Sequence, residues 1–193
     1  NQFGRSRVIS ETWGCSGQNV SLEELRWIAD WQFVNGINII CPHLTLYSMR
    51  GCRKKDFPPN LSYQQPYWPH MKLLSDTLAR TSALTSQGEL VADILLLHPI
   101  TSAWVLGGGR DREKIKQLDH DLAATASALA GMHADFEFGD EMIMERHGRV
   151  EKGRLVINKR SYSTVVVPSS INWQASTLQL LKRFVKSGGK VIF

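Results

Sequence analysis

Short, continuous apolar runs alternate along this chain with stretches in which apolar residues recur every three or four positions. The runs are rich in β-branched residues and lack polar alternation, which is typical of strands buried in a parallel sheet. The stretches between them have helical period. The pattern therefore predicts an α/β protein, and its buried strands are expected at residues 7–11, 37–44, 91–97, 164–167 and 190–193.

Residues 1–88 predict two strand–helix units. The first helix begins after Ser21, whose spacing from Glu24 predicts a capping box, and it ends near Gly36. Its apolar residues lie on two sides, which indicates contacts with more than one neighbour. Two such units are too few to close a barrel by themselves.

Residues 89–193 repeat the strand–helix order, with a hairpin expected around Gly153. This order predicts a doubly wound, flavodoxin-like parallel sheet. The strand at residues 190–193 should lie beside that at 164–167, because a short right-handed crossover connects them. The inward face of the last helix is predicted to comprise Leu178, Leu181, Phe184 and Val185.

Three glycines, Gly107 to Gly109, follow the first strand of this second pattern, where a phosphate-binding loop would lie. They match neither established phosphate-loop motif. We interpret them as a mobile loop and keep nucleotide binding as an alternative. The sequence suggests no cofactor.

Composition excludes several classes of function. The 193 residues are 42% hydrophobic and 21% charged, with a formal charge of +5. No apolar run approaches the roughly 20 residues of a membrane span, so no membrane partner is expected. The basic cluster Arg50–Asp56 has no nucleic-acid motif around it, and we interpret it as a solvated loop.

The three cysteines lack the spacing of a zinc site, so no metal site is predicted. Reduced thiols are the simplest interpretation, and they favour a cytoplasmic location without establishing it. Cys41 and His43 are two positions apart and could form a nucleophile pair if they lie on one strand face. A small buried cysteine is the simpler alternative.

The candidate chemistry lies where the first two strands end. Glu11 and Trp13 follow the first strand, His43 and Tyr47 follow the second, and Trp68 lies on the next loop. A carboxylate can transfer protons or attack an anomeric carbon, and aromatic faces pack on sugar rings. The pattern makes Glu11 a candidate catalytic group and the others candidate substrate-binding residues, with a solvated loop acid as the alternative.

Several stretches resemble a known family. "SETWGCSG", "WIADWQFVNGINIICPHLTLYSMRG" and "SYQQPYWPHMKLLSDTLAR" resemble the end of the catalytic barrel in α-L-rhamnosidase-type glycoside hydrolases. "FGDEMIME", "GRLVINKRSYSTVVVPSS" and "LLKRFVKSGGKVIF" resemble the domain after the barrel, which is similar to the glutamine-amidotransferase-like domain of bacterial β-galactosidases.

The resemblance implies that residues 1–88 form the last two units of a (β/α)8 barrel and that residues 89–193 form a non-catalytic domain. It implies a bacterial enzyme that cleaves rhamnoside- or galactoside-like sugars with two carboxylates, of which Glu11 is one. Glu11 would lie on the seventh strand and act as nucleophile, base or acid.

We also expect the chain to be a piece of a longer enzyme, since it starts on Asn1 and ends on an apolar strand. The second carboxylate should then lie upstream, and this piece alone should be inactive. The alternative function is a non-catalytic module for oligomerisation or carbohydrate binding. Homo-oligomerisation through the second domain is a further expectation.

Overall fold

The computed structural model describes residues 1–48, 50–52, 57–108 and 111–193. The chain forms two compact units. The N-terminal unit comprises Arg5–Leu90, and the C-terminal unit comprises Val91–Phe193 together with Asn1–Gly4. Residues 53–56 of the basic cluster lie outside the described residues.

The N-terminal unit consists of two strand–helix pairs. Strands β1 and β2 are parallel, with Ile9 opposite Ile39 and Glu11 opposite Cys41. A short 3-10 helix, Trp68–His70, leads into the second helix. The elements are β1 (Ile9–Thr12), α1 (Leu22–Val34), β2 (Ile39–Pro42) and α2 (Met71–Thr85).

Helix α1 begins with the predicted capping box, which the structure confirms. Ser21 N–H donates to Glu24 Oε2 at 2.7 Å, and Glu24 N–H donates to Ser21 Oγ at 3.1 Å. The helix buries one face, whereas its second apolar face is exposed to solvent. Along that second face Trp27, Trp31 and Val34 are 71%, 60% and 80% exposed.

Trp13 is part of the core of the N-terminal unit, beneath α1. Its side chain is 4% exposed, and its indole Nε1–H donates to Leu25 O at 2.9 Å. The indole thus joins the loop after β1 to the buried side of the helix. The other buried members of this core are Val20, Leu25, Ala29, Phe33, Leu61 and Leu74.

The C-terminal unit is built on a four-stranded parallel sheet, which confirms the predicted α/β class. From one edge to the other, its strands are β4 (Phe136–Gly139), β3 (Ile94–Leu97), β8 (Thr164–Val166) and β9 (Lys190–Ile192). Strand β9 neighbours β8 as predicted, with Thr164 opposite Lys190. The elements are β3 (Ile94–Leu97), α3 (Ile100–Gly108), α4 (Arg112–Gly131), β4 (Phe136–Gly139), α5 (Glu141–His147), β5 (Gly148–Glu151), β6 (Arg154–Ile157), β7 (Arg160–Tyr162), β8 (Thr164–Val166), α6 (Ala175–Lys186) and β9 (Lys190–Ile192).

The hairpin around Gly153 is confirmed, because β5 and β6 pair antiparallel across it. The third strand of this small sheet, β7, was not predicted. Tyr162 is the last residue of β7, and its hydroxyl donates to Glu137 Oε2 at 2.6 Å and accepts from Gln2 Nε2 at 3.1 Å. Burial and the Glu137 carboxylate raise the pKa of Tyr162. The contact with Gln2 joins the first residues of the chain to this unit.

Two local predictions in this unit are wrong. Gly107 and Gly108 close helix α3 rather than forming a loop, while Gly109 lies outside the described residues. In α6, Leu178 and Val185 are 44% and 52% exposed. The buried face of α6 instead comprises Thr177, Leu180, Leu181 and Phe184.

Within the described ranges, none of the helices has the length and apolar character that crossing a membrane would require.

Replacement of Gly189 by alanine tests the packing of α6 on the sheet. An added Cβ would lie 2.1 Å from Phe184 Cε2, and Phe184 is fully buried. We expect Gly189→Ala to lower the free energy of unfolding by about 1–3 kcal/mol, because the core is overpacked. Gly131→Ala is the matched control, since no atom lies within 4 Å of its added Cβ. Urea denaturation measures both, and equal stability of the two variants would contradict this packing.

Replacement of Trp13 by phenylalanine tests whether its indole supports the core. The substitution removes the hydrogen bond to Leu25 O, and we expect a loss of about 1–3 kcal/mol in the free energy of unfolding. Trp27→Phe, on the exposed face of α1, should stay within about 0.5 kcal/mol. Urea titration followed by circular dichroism compares them, and a neutral Trp13→Phe would contradict a structural role.

Candidate functional site

The carboxyl ends of β1 and β2 bring Glu11 and His43 together. Glu11 is the third residue of β1, and His43 directly follows β2. His43 N–H donates to Thr12 O at 2.8 Å, which continues the strand pairing by one residue. Because parallel strands end at the same edge, the Glu11 and His43 side chains extend from one rim.

Both side chains line one open pocket of about 410 Å³. Glu11 Oε1 lies 3.8 Å from His43 Nε2, and the two side chains are 74% and 16% exposed. The carboxylate is therefore available to a ligand, while the imidazole is largely enclosed. The pocket is lined by Glu11, Thr12, Trp13, Gly14, Cys15, Gln32, His43 and Phe57.

The turn after β1 contributes Trp13, Gly14 and Cys15 to the lining of the pocket. Trp13 and Cys15 have φ angles of 74° and 64°, in the left-handed backbone region that residues other than glycine rarely adopt. Such residues cost about 1–3 kcal/mol each and occur most often near functional sites. Between them, a Cβ on Gly14 would lie 3.5 Å from His43 Cγ, so the turn passes directly against the imidazole ring.

Gln32 and Phe57 line the pocket and were not singled out from the sequence. The Thr12 hydroxyl donates to Gln32 Oε1 at 2.9 Å, which fixes the amide beside the strand ends. The Phe57 ring meets His43 edge to face, with centroids 5.6 Å apart. A polar residue inside the apolar stretch "WQFV" was the available signal for Gln32. Phe57 had no comparable signal.

The other predicted site residues differ in their placement. Trp13 contributes to the pocket wall, although most of its indole is buried in the core. Tyr47 is 98% exposed and Trp68 is 44% exposed, and neither lines the pocket. The described parts of the loop that carries them are held by buried amides, with Gln65 Nε2 donating to Gln18 Oε1 at 2.7 Å.

No group of three or more His, Cys, Asp or Glu side chains in the described ranges could hold a metal ion. Cys15, Cys41 and Cys52 are free and exposed. Cys41 does not line the pocket, although Cys15 does.

In the C-terminal unit, β4 lies on one side of β3 and β8 lies on the other, so the strand order of the parallel sheet changes direction between β3 and β8. Open α/β sheets bind ligands at the carboxyl edge of such a point. Here Ser102 Oγ donates to Asn172 O at 2.9 Å, while Ile171 N–H and Asn172 N–H donate to Ser102 Oγ at 3.1 and 3.2 Å. These hydrogen bonds join the segment after β3 to the segment after β8, and Ser102 is fully buried between them.

Glu141 lies at the same edge, two residues after the end of β4, and is fully buried. Gln174 N–H donates to its Oε2 at 2.7 Å, and the Thr101 hydroxyl donates to its Oε1. Gln174 is the N-cap of α6. The carboxylate thus occupies the start of a helix, where a bound anion would otherwise be stabilised.

No family model matches the chain, and no curated protein matches it in sequence. Among solved structures, the chain is similar to a rhamnosidase from Novosphingobium sp. PP1Y, with a TM-score of 0.65 and 18% identity. The match covers 96% of this chain and 17% of the rhamnosidase chain. At this identity the similarity establishes a shared fold, that of one part of a glycoside hydrolase.

Proposed function

We propose that this chain contributes Glu11 as one of two catalytic carboxylates of a glycoside hydrolase acting on rhamnoside- or galactoside-like sugars. The supporting observation is the pairing of Glu11 with His43 in one open pocket, at the carboxyl ends of adjacent parallel strands. Barrel enzymes carry their active sites at this position. In this proposal the N-terminal unit is the last two units of a (β/α)8 barrel, and the rhamnosidase similarity is consistent with it.

Glu11 fits the role of a nucleophile or base better than that of a general acid. The general-acid carboxyl group of a glycosidase lies in an apolar pocket. The Glu11 side chain is 74% exposed and faces an imidazole nitrogen at 3.8 Å. We therefore assign it to attack on the anomeric carbon or to activation of water.

The second carboxylate must come from elsewhere. Of the described residues that line the pocket, Glu11 is the only acid. Glycosidases need a carboxyl pair on either side of the scissile bond, about 5 to 9.5 Å apart. In this proposal the partner carboxylate therefore comes from residues other than those that line this pocket.

The C-terminal unit serves in this proposal as a flavodoxin-like, glutamine-amidotransferase-like scaffold. Support comes from its carboxyl edge, where a cofactor would bind in a related sheet. Ser102 joins the segments after β3 and β8 through hydrogen bonds. The Glu141 carboxylate already accepts the N–H of Gln174 at the start of α6. Self-association through this unit remains a prediction.

Replacement of Glu11 by glutamine tests the catalytic role in the natural-length protein. We expect turnover of nitrophenyl glycosides to fall by about 10²–10⁴-fold or more, because the carboxylate is lost while its shape is kept. Stability should change by less than about 0.5 kcal/mol, since the side chain is exposed. Glu23→Gln, at an exposed position of α1, should keep full activity.

The same variant separates the two roles of a carboxylate. Loss of a base or nucleophile slows nitrophenyl and methyl glycosides alike, whereas loss of an acid spares the activated nitrophenyl substrates. We expect the first pattern. Activity of Glu11→Gln within a few-fold of the parent protein on both substrates would refute a catalytic Glu11.

Thermal unfolding with ATP, NAD or glutamine tests the scaffold role of the C-terminal unit. A ligand at about 100 times its Kd stabilises the protein by about 2.7 kcal/mol. We expect none of these compounds to shift the melting temperature, because Ser102 and Glu141 already accept hydrogen bonds from the backbone at this edge of the sheet. A shift that grows with the concentration of one of them would show a cofactor site in this unit.

A further inference from the structure

The His43 ring is held by packing on its carbon edges and by its backbone. The backbone N–H of His43 donates to Thr12 O, the Phe57 ring meets the imidazole edge to face at an interplanar angle of 85°, and Gly14 passes beside Cγ and Nδ1. The side chain is 16% exposed. The orientation of the imidazole is thus fixed before any ligand binds.

The two ring nitrogens have different surroundings. Nδ1 is buried and has no hydrogen-bond partner among the described residues. Nε2 faces the Glu11 carboxylate at 3.8 Å. A neutral imidazole carries its proton on one nitrogen, and a buried N–H without an acceptor is rarer than an acceptor without a donor. The arrangement therefore favours Nε2–H as the donor that faces Glu11.

We propose that His43 is a positioning residue that donates from Nε2–H to Glu11 and aims the carboxylate at the reacting carbon or water. This rests on the proposed glycosidase function. The 3.8 Å separation is longer than a hydrogen bond, and catalytic contacts of this kind commonly shorten when substrate binds. His43 thereby acts through Glu11 rather than as a sugar ligand.

Two substitutions distinguish the nitrogens. The glutamine amide can place an N–H near the position of Nε2, whereas the shorter asparagine amide places it near Nδ1. In the natural-length protein we expect His43→Gln to retain about 10- to 100-fold more kcat than His43→Asn, because only glutamine restores the charge-assisted hydrogen bond. KM should differ little between them. Equal losses in the two variants would overturn the proposal.

A spectroscopic measurement on the 193-residue chain is independent of activity. Nitrogen-15 spectra of labelled histidine identify the tautomer of each ring, and His43→Gln assigns the His43 signals by their disappearance. We expect the Nε2–H tautomer at His43, and a change in its Nε2 resonance in Glu11→Gln. Glu23→Gln should leave that resonance unchanged.

The two measurements separate this proposal from the function on which it rests. A natural-length protein without glycosidase activity would refute the proposed function, while the spectra would still report whether His43 is coupled to Glu11. An Nδ1–H tautomer, or an Nε2 resonance that Glu11→Gln leaves unchanged, would refute the positioning role even in an active glycosidase.

Discussion

The candidate site depends on the parallel pairing of β1 with β2 in a single register. With Glu11 opposite Cys41, His43 comes directly after the last paired residue and beside the end of β1. Side chains alternate between the faces of a strand, so a slip of one residue would turn Glu11 toward the helices. The hydrogen bond from His43 N–H to Thr12 O fixes this register at the rim. This register brings the exposed Glu11 carboxylate and the enclosed His43 imidazole into one pocket.

Continuous apolar strands could be predicted from the sequence because their signal is local. The runs at β3 and β8 are parallel and carry the buried residues that their composition indicates, and the capping box of α1 is a contact between neighbours in the chain. The strand β9 is parallel as predicted, but it is not buried, since Ile192 is 47% exposed. Strand β7 has three residues and no alternation, so nothing local distinguished it. For α6, the apolar residues at Leu178 and Val185 fit a helical stripe as well as the buried ones do, and tertiary packing decides between them.

The site was predictable in part for the same reason. Glu11 and His43 end apolar runs, and the rule that parallel strands end together links two places far apart in sequence. Gln32 reaches the pocket only because α1 packs on β1, and Phe57 only because its loop folds back over His43. The inward indole of Trp13 follows from its left-handed backbone, which an aromatic residue rarely adopts. The pattern of residue types along the chain does not predict these three contacts, because each depends on how distant segments pack.

Both units place a glutamate at the carboxyl edge of a parallel sheet, yet the two carboxylates have opposite surroundings. Glu141 is fully buried and accepts hydrogen bonds from Thr101 and from the start of α6, so its charge is already compensated within the fold. Glu11 is largely exposed, and the group that faces it is an imidazole nitrogen beyond hydrogen-bond distance. A buried carboxylate that already accepts hydrogen bonds serves the structure, because moving it would leave the Thr101 hydroxyl and the Gln174 N–H without an acceptor. A carboxylate with spare hydrogen-bonding capacity over an open pocket can instead bind or attack a ligand, which is the physical ground for placing the chemistry in the N-terminal unit.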